Sequence, residues 1–211
     1  MAPGIDYLAL RQSIQKPGHE GRSRNVGYVP SDKNNVPIDN SGVTIGVGFD
    51  LGMHNDWELK QMGFSKKIRK KLAPYLGKKG KDAQKIASNL RVTGDDYIDI
   101  ITRPINYKIN KIANKYNSVA GNNAFQSLEP EIQKVIFGTI YQMGIEGRTG
   151  APDFWKQATS KDWTGILENL EGSDWGRYSE RRSKQAKDLW KSGAILRQSV
   201  IDEEKRGKLF E

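Results

Sequence analysis

The sequence predicts an α+β fold, in which a small β-sheet lobe precedes a larger α-helical lobe. Residues 21–40 are rich in Gly, Pro, Asn, Asp and Ser, and a stretch of β-branched residues follows them. Helical periodicity dominates after residue 52. Because no internal repeat or low-complexity linker divides the chain, we expect one domain. Within it we assign residues 18–52 to the sheet lobe, residues 1–17 and 53–195 to the helical lobe, and residues 196–211 to a charged carboxy-terminal tail.

The first part of the chain predicts one helix followed by extended pieces. A helix over residues 5–16 is expected to end at Pro17-Gly18, because proline clashes with the preceding turn and glycine readily leaves helical geometry. Glu20 then lies just beyond the helix end. The stretch from Val43 to Asp50 alternates β-branched with small residues, which predicts a strand that another backbone or a ligand approaches closely.

The rest of the chain predicts helices. Pro74 and Pro104 are expected to break or bound two of them, because proline lacks the N–H that a helix interior needs. The clearest buried helix follows Pro130, with apolar residues at helical spacing. Those residues are Ile132, Val135, Ile136, Ile140 and Met143. We expect this helix at the centre of the helical lobe, and we expect the charged tail from residue 199 to fray.

Composition excludes several kinds of chemistry. The chain has no cysteine and only two histidines, so it has no thiolate and too few histidines for a typical zinc cluster. We expect neither a metal nor an organic cofactor. No apolar run approaches the roughly 20 residues of a membrane-spanning helix, and the polar start lacks an apolar signal core. We therefore expect a soluble protein, made in the cytoplasm without a signal peptide.

The positive charge is concentrated in one segment. Residues 66–91 contain ten Lys or Arg against the single acid Asp82, within a chain of net charge +9. An anionic partner is expected, and both a bacterial envelope and a nucleic acid would satisfy this charge, because long-range attraction depends on sign. A merely solvated helix face is the third reading.

Two spaced motifs resemble a known active site. Glu20-Gly21 precedes a Thr-Ile-Gly-x-Gly strand, which ends in an aspartate, as Gly42-Val43-Thr44-Ile45-Gly46-Val47-Gly48-Phe49-Asp50. This order resembles the active-site signature of phage lysozymes and, more closely, that of pesticin-type muramidases. The resemblance implies a lysozyme-like fold, with the active-site cleft between the sheet lobe and the helical lobe.

The resemblance also implies roles for individual residues. Glu20 would be the general acid, Asp50 the carboxylate that positions or activates water, and Thr44 the hydroxyl that holds this water. Asp39 competes with Asp50, because phage lysozymes place their aspartate before the threonine strand. Read without the motif, Thr44 is an ordinary strand residue, and Asp50 is a turn aspartate that caps the next segment.

Further residues are candidates for contact with substrate. Tyr28 and Gln142 could face a glycan, although core packing is the simpler reading for Gln142. Arg181 or Arg182 could pair with Glu20, although surface solvation is the favoured reading for both.

The implied activity is hydrolysis of the β-1,4 bond between N-acetylmuramic acid and N-acetylglucosamine, with inversion. It would serve cell-wall lysis, as a phage endolysin or as an antibacterial toxin or effector. The expected partners of a monomeric enzyme are the peptidoglycan strand, the anionic envelope, a delivery system and an immunity or inhibitor protein, but no nucleic acid. It would act in the periplasm or wall after delivery. The alternatives are a lytic transglycosylase, a chitosanase-like glycosidase, an inactive scaffold, or a basic module that binds nucleic acid or the envelope.

Overall fold

The computed structural model describes residues 4–15, 23–143, 152–172 and 179–207. Over these ranges helices predominate and one three-stranded antiparallel sheet is present, so the predicted α+β class is confirmed. The strands are β1 (Arg24–Tyr28), β2 (Thr44–Gly46) and β3 (Phe49–Asp50). The helices are α1 (Tyr7–Gln15), α2 (Asp56–Gln61), α3 (Lys66–Leu72), α4 (Gly80–Ala87), α5 (Gly94–Ala120), α6 (Pro130–Met143), α7 (Pro152–Ser160), α8 (Trp163–Gly172), α9 (Ser179–Lys191) and α10 (Ala194–Gly207). No helix among these residues has the length and apolar content needed to cross a membrane.

The chain divides into two compact units. Gln15–Lys108 form the first, which we call the sheet unit. Met1–Ile14 together with Ile109–Glu211 form the second, which we call the helical unit. The sheet unit extends further than the 18–52 segment assigned from composition, because the helices that follow the sheet share its core.

The strand predicted over residues 43–50 is in fact a hairpin, and the single-strand prediction is wrong. β2 and β3 pair antiparallel, with Val47 and Gly48 in the turn between them. Gly46 and Gly48 have φ angles of +64° and +73°, a left-handed region that side chains with a Cβ rarely adopt. The two glycines therefore reverse the chain where alternation alone indicates a continuous strand.

One apolar cluster joins the sheet to α2, α3, α4 and the start of α5. Val43 and Ile45 of the hairpin region are fully buried in it beside Leu59 of α2 and Leu72 of α3. α2 begins with a capping box, in which Asn55 accepts a hydrogen bond from the Glu58 N–H and the Glu58 carboxylate accepts one from the Asn55 N–H. Ser65 caps α3 by a single hydrogen bond, which its hydroxyl accepts from the N–H of Ile68.

Proline has opposite effects at two positions. α3 ends at Leu72 and a short 3-10 turn containing Pro74 follows, as predicted. Pro104, in contrast, lies inside the continuous helix α5, so the prediction that it breaks or bounds a helix is wrong. Ile100 and Ile105 on either side of it are buried. This burial holds both halves of the helix in place and offsets the missing backbone hydrogen bond.

The helical unit is built on the buried helix α6, as predicted. Ile132, Val135, Ile136 and Ile140 are all buried. The side chain of Met143 lies outside the described residues. α1 belongs to the same unit, since the Tyr7 hydroxyl donates to the Asn110 side chain and the Gln133 side chain donates to the Gly4 carbonyl at 3.2 Å. The opening helix predicted over residues 5–16 is confirmed as α1.

Two expectations for the carboxy-terminal helices are wrong. Arg182 on α9 is fully buried, not solvated, and its guanidinium donates to the Thr139 hydroxyl at 3.3 Å and to the Gln185 side chain. The segment expected to fray is helical as far as Gly207, in α10. A polar contact holds α10 in the unit, because the Gln198 side chain accepts the N–H of Trp163 at the start of α8.

Candidate active site

Three of the predicted site residues lie in one row across the sheet. Tyr28 of β1 is directly opposite Thr44 of β2, and Thr44 is directly opposite Asp50 of β3. Opposite residues of antiparallel strands project from the same face, with their Cβ atoms about 4.5–5.5 Å apart. We call Tyr28, Thr44 and Asp50 the cross-strand row.

The Asp50 carboxylate is fixed by two backbone donors. Its Oδ1 accepts the N–H of Gly52 at 2.8 Å, and its Oδ2 accepts the N–H of Gly42 at 3.1 Å. The first bond caps the 3-10 turn Leu51–Met53, so the capping role read from the sequence is confirmed. Each oxygen keeps a second lone pair, and the side chain is only half-buried. The carboxylate is therefore held rigidly and can still accept a hydrogen bond from outside.

Thr44 is tied to the same residue as Asp50, namely Gly42. Its side chain is 3% exposed, and its hydroxyl donates to the Gly42 carbonyl at 3.2 Å. Gly42 thus uses its N–H for Asp50 and its carbonyl for Thr44. Because the Thr44 proton is already donated, the free lone pairs of this oxygen are available as acceptors.

Gly42 and Gly52 are positioning residues that the sequence analysis missed. A Cβ on Gly42 would lie 2.4 Å from Asp50 Oδ1 and 2.5 Å from the Cα of Gly52. A Cβ on Gly52 would lie 2.6 Å from the Lys78 carbonyl oxygen. Only glycine therefore lets both N–H groups reach the carboxylate. Gly42 is part of the sequence motif, but the motif does not predict its close approach to Gly52.

His54 is a third residue that the sequence analysis did not place in the site. Its ring packs on Phe49, with centroids 4.9 Å apart, and its Nδ1 lies 3.3 Å from the Glu58 carboxylate. Burial lowers the pKa of His54 below its ordinary value, and Lys108 adds to this effect, whereas Glu58 and Asp50 oppose it. The imidazole is thus a titratable neighbour of Asp50.

Tyr28 stands at the other end of the row. It is half-buried, and the Arg24 guanidinium lies 4.2 Å from the centre of its ring. An irregularity of β1 between Arg24 and Tyr28 allows both residues to keep partners on β2. Of the other predicted residues, Glu20 lies outside the described residues, as do the side chains of Asp39 and Gln142.

The backbone of Asp39 and that of Gln142 are described. Asp39 lies in the 3-10 turn Ile38–Asn40, and Gln142 lies on α6 of the helical unit. Within the described ranges, no group of three or more His, Asp and Glu side chains is placed to hold a metal ion.

A mostly helical chain with one small antiparallel sheet, on which a threonine faces an aspartate, has the organisation of a lysozyme-like α+β protein. The chain belongs to the Pesticin family, whose model is described as a bacterial toxin homologue of phage lysozyme, carboxy-terminal part, and matches residues 12–164. This match covers well over half of the chain and contains Glu20, Tyr28, Thr44, Asp50 and Gln142. The resemblance found in the sequence is therefore confirmed. No curated protein matches the chain.

Proposed function

We propose that the chain is a muramidase, which hydrolyses the β-1,4 bond between N-acetylmuramic acid and N-acetylglucosamine in peptidoglycan. The observation that carries the proposal is the pairing of Thr44 with a doubly hydrogen-bonded Asp50, inside the region that matches a family homologous to phage lysozyme. Glycoside hydrolysis needs two carboxyl groups with separate tasks. Asp50 is the candidate for one of them, and Glu20 is the candidate for the other.

In the proposed reaction Glu20 donates its proton to the glycosidic oxygen as the bond to the sugar breaks. A water molecule attacks the anomeric carbon, and its proton passes to the Asp50 carboxylate. The Thr44 hydroxyl accepts a hydrogen bond from this water and fixes its direction. Inversion requires about 6.5–9.5 Å between the two carboxyl groups, which leaves room for the water. Two carboxyl groups and water supply every proton transfer, so the proposal needs no cofactor.

The proposed biological role is lysis of the bacterial cell wall. The family description joins a bacterial toxin to phage lysozyme, so it supports both an antibacterial toxin or effector and an endolysin. Either would act on the peptidoglycan of the periplasm or wall after delivery. Tyr28 is proposed as a glycan contact, because it shares the row with Thr44 and Asp50.

The first test is lysis of purified peptidoglycan, followed as loss of turbidity and as release of reducing ends. We expect the native chain and Asp39→Asn to be active, and Glu20→Gln and Asp50→Asn to be folded but inactive. Activity in Asp50→Asn together with loss in Asp39→Asn would transfer the second role to Asp39. A folded native chain that releases no product would refute the proposal.

Asp50→Asn needs a control for stability, because the new amide group turns a donor toward a backbone N–H. We expect this change to lower the free energy of unfolding by about 2–3 kcal/mol. The double variant Asn55→Ala/Ser65→Ala removes the two helix caps of the same unit and loses about 1 kcal/mol at each, while Asp50 stays intact. If this control keeps its activity, the loss in Asp50→Asn reports the carboxylate and not the stability.

Product analysis separates the proposed hydrolase from its rivals. A lytic transglycosylase leaves an anhydro sugar end instead of a reducing end, and a chitosanase-like enzyme cleaves chitosan but not peptidoglycan. The anomer that forms first, followed by NMR, tests inversion. Salt-sensitive binding to DNA without any glycan turnover would replace the enzyme by a binding module.

A further inference from the structure

Residues 77–81, which we call the lysine loop, include Gly80 and Lys81 at the start of α4, and backbone hydrogen bonds join them to both sides of the hairpin. The N–H of Gly77 donates to the Leu51 carbonyl at 3.2 Å, and the N–H of Gly80 donates to the Ser41 carbonyl at 2.9 Å. Lys79 forms an antiparallel bridge with Gly42. The lysine loop therefore lies beside Ser41 and Leu51, which flank Gly42 and Asp50 in sequence, and these hydrogen bonds fix its backbone to them.

The lysine loop also contacts the support of the Asp50 carboxylate. The position of a Cβ on Gly52 would be 2.6 Å from the Lys78 carbonyl oxygen and 3.1 Å from Asp50 Oδ1. The backbone of the lysine loop and the Asp50 carboxylate thus both lie close to Gly52. The basic segment noted in the sequence is for this reason a neighbour of the candidate active site.

The loop carries three exposed ammonium groups. Lys78, Lys79 and Lys81 are all exposed, and none of them has a carboxylate partner among the ion pairs of the described residues. Asp82 is the acid that Lys78 influences, but its carboxylate pairs with Lys85 at 3.0 Å. Three cationic side chains, which pair with no carboxylate in the described part of the chain, are placed at a rigid backbone position beside the row.

We propose that Lys78, Lys79 and Lys81 form a cationic subsite, which binds free carboxylates of the peptidoglycan strand while the adjacent sugar lies at Asp50. This inference rests on the proposed function. The lysine ammonium is a compact charge on a flexible stem, which suits carboxylates at variable positions along a peptide-bearing glycan. Binding of single-stranded nucleic acid commonly adds aromatic side chains on which bases stack. The only aromatic residue of segment 66–91, Tyr75, is buried.

The test compares two triple variants of equal net charge. Lys78→Gln/Lys79→Gln/Lys81→Gln removes the subsite. Lys60→Gln/Lys66→Gln/Lys70→Gln removes three exposed lysines from α2 and α3 of the same unit and is the control. Both proteins, with the native chain, are sedimented with insoluble peptidoglycan freed of wall phosphates, at about 0.02 M and 0.15 M salt. KM and kcat are then measured from reducing ends, on this substrate and on peptidoglycan whose carboxyl groups have been amidated.

We expect the subsite variant to bind the peptidoglycan more weakly and to raise KM roughly threefold to tenfold with kcat unchanged, since each exposed charge pair is weak. The control is expected to match the native chain. Amidation of the peptidoglycan should raise the KM of the native chain to that of the subsite variant. It should leave the KM of the subsite variant unchanged.

Equal KM values for the two variants would overturn the subsite, as would a native KM that amidation does not change. The muramidase proposal would stand in both cases. Binding that appears only on peptidoglycan retaining its wall phosphates, or only on DNA, would also overturn it, because the ligand would then be a phosphate. Absence of reducing ends from every protein would refute the proposed function instead, and the sedimentation result would still report on the subsite.

Discussion

Gly42→Ala is a substitution for which the structure predicts a large local effect. The new methyl carbon would lie 2.4 Å from Asp50 Oδ1 and 2.5 Å from the Cα of Gly52. Both distances are shorter than real Cβ contacts, and one of the two neighbours is backbone, so the loop must move. Forced overpacking costs about 1–3 kcal/mol. Displacing the Gly42 N–H from the carboxylate adds about 1.5–3 kcal/mol, the value of a hydrogen bond to a charged group.

Together these terms predict a loss of about 2.5–6 kcal/mol in the free energy of unfolding, a large part of the about 5–15 kcal/mol of an ordinary domain. Urea unfolding measures it by linear extrapolation. Gly172→Ala, at the end of α8, is the control, because its Cβ would meet no atom within 4 Å. A loss below about 1 kcal/mol in Gly42→Ala would refute the steric argument. Lytic activity should fall as well, since Asp50 and Thr44 both bond to the backbone of Gly42.

Three further substitutions test other parts of the structure. The pKa of His54 is lower in the folded than in the unfolded chain, so its contribution to stability is complete above the unfolded pKa and is lost as the pH falls through the folded pKa. His54→Gln should therefore lose less free energy of unfolding than the native chain between about pH 7 and pH 5. Equal losses in the two proteins would contradict this. Arg182→Ala should lower the free energy of unfolding by about 3–4 kcal/mol, seen as a lower thermal midpoint, because it leaves a cavity and unpaired polar groups. Lys187→Ala, on the exposed face of α9, should change the free energy of unfolding by less than about 0.5 kcal/mol. Gly48→Ala should cost about 1 kcal/mol in chemical unfolding because of the positive φ, and Gly48→Asn should cost less, since asparagine tolerates this conformation; equal costs would argue against the turn geometry.

The sequence was sufficient for most helices, because their apolar spacing reports burial directly. α1 and α6 follow the predicted positions closely. The hairpin was missed because the alternation of β-branched and small residues indicates extended backbone both before and after a turn. The chain reversal itself depends on the positive φ angles of Gly46 and Gly48. Pro104 was misread because burial of the flanking isoleucines is a tertiary property.

The site was predictable only in part. Thr44 and Asp50 stand in a motif, so they could be named, and Asp50 could also be read correctly as a cap. Gly42 and Gly52 act through backbone N–H groups, which every residue except proline possesses, so their identity says little about their partner. Arg182 was misread since a charged residue is normally exposed, and its polar partners come from Thr139 on another helix and Gln185.

The division of the chain has a consequence for its synthesis. Residues 1–14 belong with residues 109–211, and the Tyr7 hydroxyl finds its partner Asn110 only 103 positions later. The sheet unit, by contrast, is one uninterrupted stretch, and it leaves the ribosome before the partners of α1 exist. A nascent chain should therefore complete the sheet unit first and carry α1 unpaired until α6 emerges, because contacts distant in sequence form last. The first residues translated are thus among the last to reach their final neighbours.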